Sequence, residues 1–149
     1  MSARRQRQMC IRDSDIIEHL QRIRDLQDTT KNFLSFIPWT FKPENTFMEN
    51  KISTEVGGDR YLRVLGLCRI FLDNFKYIQG SWFTQGFKVG GASLHYGAND
   101  VGGTLLQENV LKSANNPYKA GVDEIVHVIE SEGFLPIQRD TFYNTIKMY

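Results

Sequence analysis

The stretch Gly97-Ala98-Asn99-Asp100-Val101-Gly102-Gly103-Thr104 sets a carboxamide and a carboxylate on glycine-relaxed backbone, where a β-strand should end. Ser81-Trp82-Phe83-Thr84-Gln85-Gly86 precedes it and Glu108-Asn109 follows it. Such side chains hydrogen-bond hydroxyls and carboxylates, and a glutamate can also take up a proton. In parallel α/β folds the carboxyl ends of the strands open into one crevice, so groups from different strands can meet around a single ligand. The chain looks too short to enclose that ligand by itself.

The elements that must position these groups follow from periodicity. Asp15 to Lys31 has Ile16, Ile17, Leu20, Ile23 and Leu26 on one face of an amphipathic helix, with Asp15 and Glu18 spaced as a capping box. Phe33 to Trp39 is a short aromatic-rich run ended by Pro38 and Pro43, which suits a buried strand. After an irregular loop from about Lys42 to Gly58, Asp59 to Asn74 returns to helical period. Its stripe is Tyr61, Leu65, Cys68 and Leu72, widened by Leu62 and Val64, and Gly66 suggests a close contact between helix and sheet. Tyr77 to Trp82 reads as the next strand, Lys88 to Tyr96 as a helix closed by Gly97, and Ala98 to Asp100 as a third, very short strand. Thr104 and Gln107 are spaced to cap a helix over Leu105 to Ala114. A final helix over Asp123 to Glu132 turns Ile125, Val126 and Ile129 inward and ends at Gly133, and the tail from Phe134 should lie extended.

Strands alternating with helices predict a parallel sheet built from right-handed crossovers. Three such strands leave two unpaired edges, whereas an eight-stranded barrel has none. The expected fold class is therefore α/β: the C-terminal portion of a (β/α)8 barrel of the TIM type, with about three parallel strands and flanking helices.

Composition narrows the partners. With 149 residues, 41% hydrophobic and 12% aromatic, one domain can bury a core. A formal net charge of +1 gives no field that argues for nucleic acid or an anionic membrane. No apolar run reaches the ~20 residues of a membrane span, and the basic N-terminus lacks a signal-peptide core, so a cytoplasmic protein is expected. Two cysteines, Cys10 and Cys68, indicate neither a disulfide framework nor a metal site. His19, His95 and His127 fall in expected helices and read as packing or surface residues. Gly86, Gly90 and Gly91 lack the residues of a phosphate-binding loop and read as turn and packing glycines.

Asp15 to Asp28, Phe36 to Thr46, Ser81 to Gly86, Gly97 to Thr104 and the closing Pro136-Ile137-Gln138-Arg139-Asp140-Thr141-Phe142-Tyr143-Asn144 closely resemble the C-terminal part of the radical SAM enzymes of the futalosine pathway to menaquinone. Within that group the likeness is to the dehypoxanthine futalosine cyclases, also called cyclic dehypoxanthine futalosine synthases, and it runs from about residue 15 to the C-terminus. Aminofutalosine synthases and deazaflavin-chromophore synthases are similar around Gly97 to Asp100, and Thr84-Gln85 after Trp82 favours the cyclases. The sequence departs from the pattern at Phe87, where a proline is usual, and at Gln107, where an acidic residue is usual. Residues 1–14 do not resemble the family. Met9-Cys10-Ile11-Arg12-Asp13-Ser14 looks like a translated sequencing adapter, so this segment is expected to be artefactual or disordered.

The resemblance implies a [4Fe-4S] cluster and S-adenosylmethionine in the full-length family. The cluster is held there on a Cys-x-x-x-Cys-x-x-Cys loop that this chain lacks, so no cluster ligands and no activity are expected of it alone. In the family, a deoxyadenosyl radical abstracts a hydrogen from the ribose of dehypoxanthine futalosine. The ribose radical adds to the benzoate ring, and loss of an electron and a proton gives the cyclised product. The residues here would belong to substrate positioning. Trp39 and Trp82 would wall the cavity or be core aromatics. Thr84 and Gln85 would bind a hydroxyl or carboxylate or cap the next helix. Asn99 and Asp100 would bind substrate or satisfy loop amides. Glu108 would accept the final proton or form an ordinary salt bridge. The expected partners are the small-molecule substrate and the missing N-terminal barrel half, reached either as a truncated frame or as a true split subunit. A cluster-free nucleotide- or flavin-binding α/β module is the alternative from another class. It would want a glycine-rich turn after the first strand, where Pro38-Trp39-Thr40 stands.

Overall fold

A computed structural model describes residues 13–43, 45, 49–50, 56–104 and 120–149. The helix expected over Leu105 to Ala114, Glu108 and Cys10 lie outside the described residues.

Helix α1, Asp13–Thr30, begins two residues before Asp15, which therefore sits in the first turn rather than at the cap. Its buried stripe is rotated from the expected one. Leu20 and Gln27 are buried and Ile16 and Ile23 partly so, while Ile17 and Leu26 face out. The reason is Gln27, whose carboxamide donates to the Phe33 carbonyl and accepts from the Phe33 N–H, turning the chain from α1 into the sheet. A buried amide paired through both its oxygen and its nitrogen costs little.

Strand β1 is Ser35–Phe36, helix α2 is Gly58–Phe71 and strand β2 is Tyr77–Ile78. The α2 stripe is the expected one: Tyr61, Leu65 and Cys68, with Leu72 just beyond the helix, are all buried, and they form the core with Leu20, Phe75, Ile78 and Ala98. Gly66, expected to touch the sheet, instead lies at ordinary contact distance from Tyr96.

β1 and β2 pair in parallel, and a single parallel bridge from Gln79 to Asp100 adds the third strand. The Gln79 N–H donates to Phe36, Asn99 to Ile78 and Gly80 to Asp100, so Phe36 stands opposite Ile78 and Gln79 opposite Asp100 across the sheet. The strands are shorter than expected. The second stops because the Ser81 N–H donates to the Tyr61 hydroxyl at 2.7 Å, which takes it out of the ladder, and Trp82 then opens a helical turn, α3, Trp82–Gln85.

Helix α4, Phe87–Ala92, tightens into a 3-10 turn over Ser93–Tyr96 where an unbroken helix was expected, and Gly97 closes it at φ +98°. Helix α5, Val122–Ser131, ends at Gly133 as expected, but none of its residues is fully buried; Ile125, Val126 and Ile129 line a cavity. The tail is not simply extended. Strands β3, Ile137–Arg139, and β4, Thr145–Met148, pair antiparallel with a bulge at Gln138/Arg139. The chain is thus an α/β assembly with a parallel ladder and a separate C-terminal hairpin. No described helix is long and apolar enough to cross a membrane.

Candidate functional site

The carboxyl ends of the three parallel strands emerge side by side, at Trp39, at Ser81 to Gln85 and at Val101 to Thr104. Trp39 is 58% exposed and lies 6.4 Å from the Phe83 ring. Gln85 is half-buried, and its amide donates to the Thr40 hydroxyl at 2.9 Å, tying the first strand end to the second. Trp82 and Thr84 are buried. The Trp82 indole stacks on Phe87 at 5.1 Å, and its N–H has no acceptor among the described residues. The Thr84 hydroxyl is hydrogen-bonded to that of Ser81 at 3.0 Å.

Asn99 and Asp100 part company. The Asn99 carbonyl accepts from the Ile78 N–H at 2.9 Å and from Arg69 at 3.0 Å, and its amide donates to the Lys76 carbonyl. Arg69 also donates to the carbonyls of Gly97 and Phe75, so the two side chains brace the start of the third strand toward the amino end of the sheet. Asp100 points the other way, accepting from the Gly102 N–H at 2.5 Å and from Arg139 Nε.

A cavity of about 560 Å³ opens beside the third strand, between α5 and the C-terminal hairpin. Asn99, Asp100, Thr104, Arg139, Tyr77 and Tyr143 supply polar wall. Trp39, Trp82, Thr84 and Gln85 are not on it. The expected site residues therefore form two groups, one around Phe83 and one on this cavity, while Glu108 lies outside the described residues.

The hairpin supplies residues that the reading of types and spacing left out. Arg139 lies over the Tyr143 ring at 3.8 Å, and Tyr143 stacks on Tyr77 at 3.6 Å. Burial works against the Arg139 charge, but the hydrogen bond and attraction from Asp100 prevail and push its pKa up. Burial also raises the Tyr143 phenol, whose hydroxyl is flanked by Ser35 and Asp100 but makes no well-formed hydrogen bond. Asp140 accepts from the side chain of Asn144 and from the backbone N–H groups of Asn144 and Phe142, which holds its carboxyl below the ordinary range. The signal for this loop was present in Arg139-Asp140 followed by Asn144, the composition of a side-chain-closed turn.

The one described cysteine, Cys68, is buried in the core, and burial pushes its thiol up to about 11. A cluster ligand has to be a thiolate, so this residue does not fit an iron-sulfur centre. Among the described residues no three His, Cys, Asp or Glu side chains gather as a metal site.

Residues 30–149 match the family described as the CofH/MqnC C-terminal region. The chain is 43% identical over 137 residues to a cyclic dehypoxanthine futalosine synthase of Streptomyces coelicolor, covering 92% of this chain and 34% of that protein. It is 42% identical over 131 residues to the enzyme of the same name from Halalkalibacterium halodurans, covering 88% and 35%. To an aminodeoxyfutalosine synthase of Thermus thermophilus it is 34% identical over 141 residues, covering 89% and 37%. The chain thus spans about one third of the length of these curated relatives. With the match running through the parallel ladder, the strand-end turns and the closing hairpin alike, the chain belongs to the CofH/MqnC C-terminal region family.

Proposed function

We propose that this region is the closing, substrate-side wedge of a radical SAM (β/α)8 barrel that cyclises dehypoxanthine futalosine in the futalosine route to menaquinone. The observation that carries the reading is a parallel ladder, open at both edges among the described residues, in a chain 43% identical to about a third of a cyclic dehypoxanthine futalosine synthase. Unpaired edges of this kind are satisfied when neighbouring strands close the sheet. The lower identity to the aminodeoxyfutalosine synthase, 34%, favours the cyclase.

In this reading the cluster and S-adenosylmethionine belong to the preceding part of the protein, and this region binds and orients substrate. Trp39 offers an exposed aromatic wall and Gln85 a carboxamide beside it. Trp82 and Thr84 are buried, Trp82 against Phe83 and Phe87 and Thr84 against Ser81, and in this reading they hold the second strand end in place for substrate. Asp100 shapes the turn from Val101 to Thr104, Asn99 braces the strand that leads into it, both lining the cavity beside that strand, and Glu108 is the proposed proton acceptor. Holding the reacting groups close and dry is the protein's share of such a reaction.

The test joins residues 15–149 to the preceding part of the Streptomyces coelicolor relative. Given reductant, S-adenosylmethionine and dehypoxanthine futalosine, the joined protein should form the cyclic product, and Trp39→Ala should raise KM by on the order of tenfold. A folded, cluster-loaded joined protein that forms no cyclic product contradicts the proposal.

A further inference from the structure

We infer that Arg139 is a positioning residue: its guanidinium fastens Asp100, and Asp100 fastens the Gly102 turn, so the C-terminal hairpin sets the shape of the strand-end turn. The inference rests on the reading above for the claim that this turn faces substrate, and on geometry alone for the linkage.

The Asp100 side chain is 7% exposed. A carboxylate this buried needs compensation on both oxygens. One oxygen accepts from the Gly102 N–H and the other from Arg139, 39 residues away in sequence. Arg139 is itself held from two further directions. It lies over the Tyr143 ring, which is sandwiched against Tyr77, and its Nη1 donates to the Asp140 carbonyl at 3.0 Å. The Asp140 turn closes on Asn144 and so aims the arginine.

At the other end of the linkage the turn has one course open to it. Gly102 sits at φ +76°, and a Cβ there would stand 2.3 Å from Gln79 Nε2 and 3.0 Å from the Phe83 ring. Those two residues connect the turn to the second strand and, through Phe83, to Trp39. Without Arg139 the Asp100 carboxylate would be buried without its cation. It would swing out toward water, which weakens its hold on the Gly102 amide. The route Tyr77, Tyr143, Arg139, Asp100, Gly102 thus couples the hairpin to the turn while leaving the helical core untouched.

The experiment uses the joined protein and compares Arg139→Gln, Arg139→Lys, Asp100→Asn and the Arg139→Gln/Asp100→Asn double variant. Expected for Arg139→Gln are faster hydrogen exchange at the Gly102 amide and a KM raised by on the order of tenfold, with kcat changed less than about threefold. Arg139→Lys, which keeps the charge, should recover part of both, and the double variant should be no worse than the worse single one. Unchanged exchange at Gly102 in Arg139→Gln overturns the inference, as does a double variant whose losses simply multiply. Failure of the parent joined protein to cyclise substrate would instead sink the functional reading, and exchange at Gly102 would still decide the linkage.

Discussion

Cys68 sits at the centre of the α2 stripe, where burial raises its thiol to about 11 from an ordinary 9.0. The neutral form is therefore the one the fold favours. The stabilisation is present below pH 9.0 and is lost as pH rises toward 11, when the folded thiol must ionise in an apolar core. A thiol held this far above its ordinary range carries about a hundredfold less thiolate at neutral pH. Alkylation of Cys68 by iodoacetamide at pH 8, followed peptide by peptide, should be slower than that of an unfolded control by at least that factor, because the buried sulfur is also shielded from the reagent. Reaction at the control rate would show that the stripe is not packed as described. At this scale the sequence was informative about position and poor about partners. Asn99 and Asp100 stand at a strand end as their neighbours suggest, and the loop amide that Asp100 satisfies, that of Gly102, is local; but Arg69, Ile78 and Arg139 lie 21 to 39 residues away, and no local pattern encodes those.

Among the elements, α4 approaches α3 so closely that a Cβ on Gly90 would lie 2.5 Å from the Trp82 Cβ. Gly90→Ala gains up to ~1 kcal/mol of helix propensity but overpacks a buried tryptophan, which costs about 1–3 kcal/mol. The clash should win, and thermal unfolding should register a loss. Gly103→Ala, whose Cβ meets nothing within 4 Å, should stay within about 0.5 kcal/mol of the parent. Equal melting of the two variants would contradict the packing. Helices were legible where apolar residues alone set the period, as in the α2 stripe. They were misread where a polar side chain joined it, since Gln27 rotated the α1 face by pairing with Phe33. Short parallel strands carry little period of their own, and the end of the second was fixed by the Tyr61 hydroxyl rather than by composition. The turn of the β3–β4 hairpin was legible in Asp140 and Asn144, but its short strands went unread because a bulge at Gln138/Arg139 breaks their alternation.

For the whole molecule, the parallel order of the ladder was legible, and closure into a barrel is the proposal that gives its edges a purpose. Closure would also give partners to the apolar surface of α5 and to Ile146 and Met148 on the hairpin, which are exposed here. Expressed alone, residues 15–149 should be poorly soluble through these edges and faces, and joining them to the preceding part should restore a soluble, cooperatively melting protein. The most direct measurement is a crystal structure of the joined protein. Barrel closure predicts that Ser35–Phe36 and residues 98–100 each gain main-chain hydrogen bonds, on their open sides, to strands from outside this region. Strands that remain an open layer, with both edges facing solvent or an unrelated ligand at their tips, would contradict it.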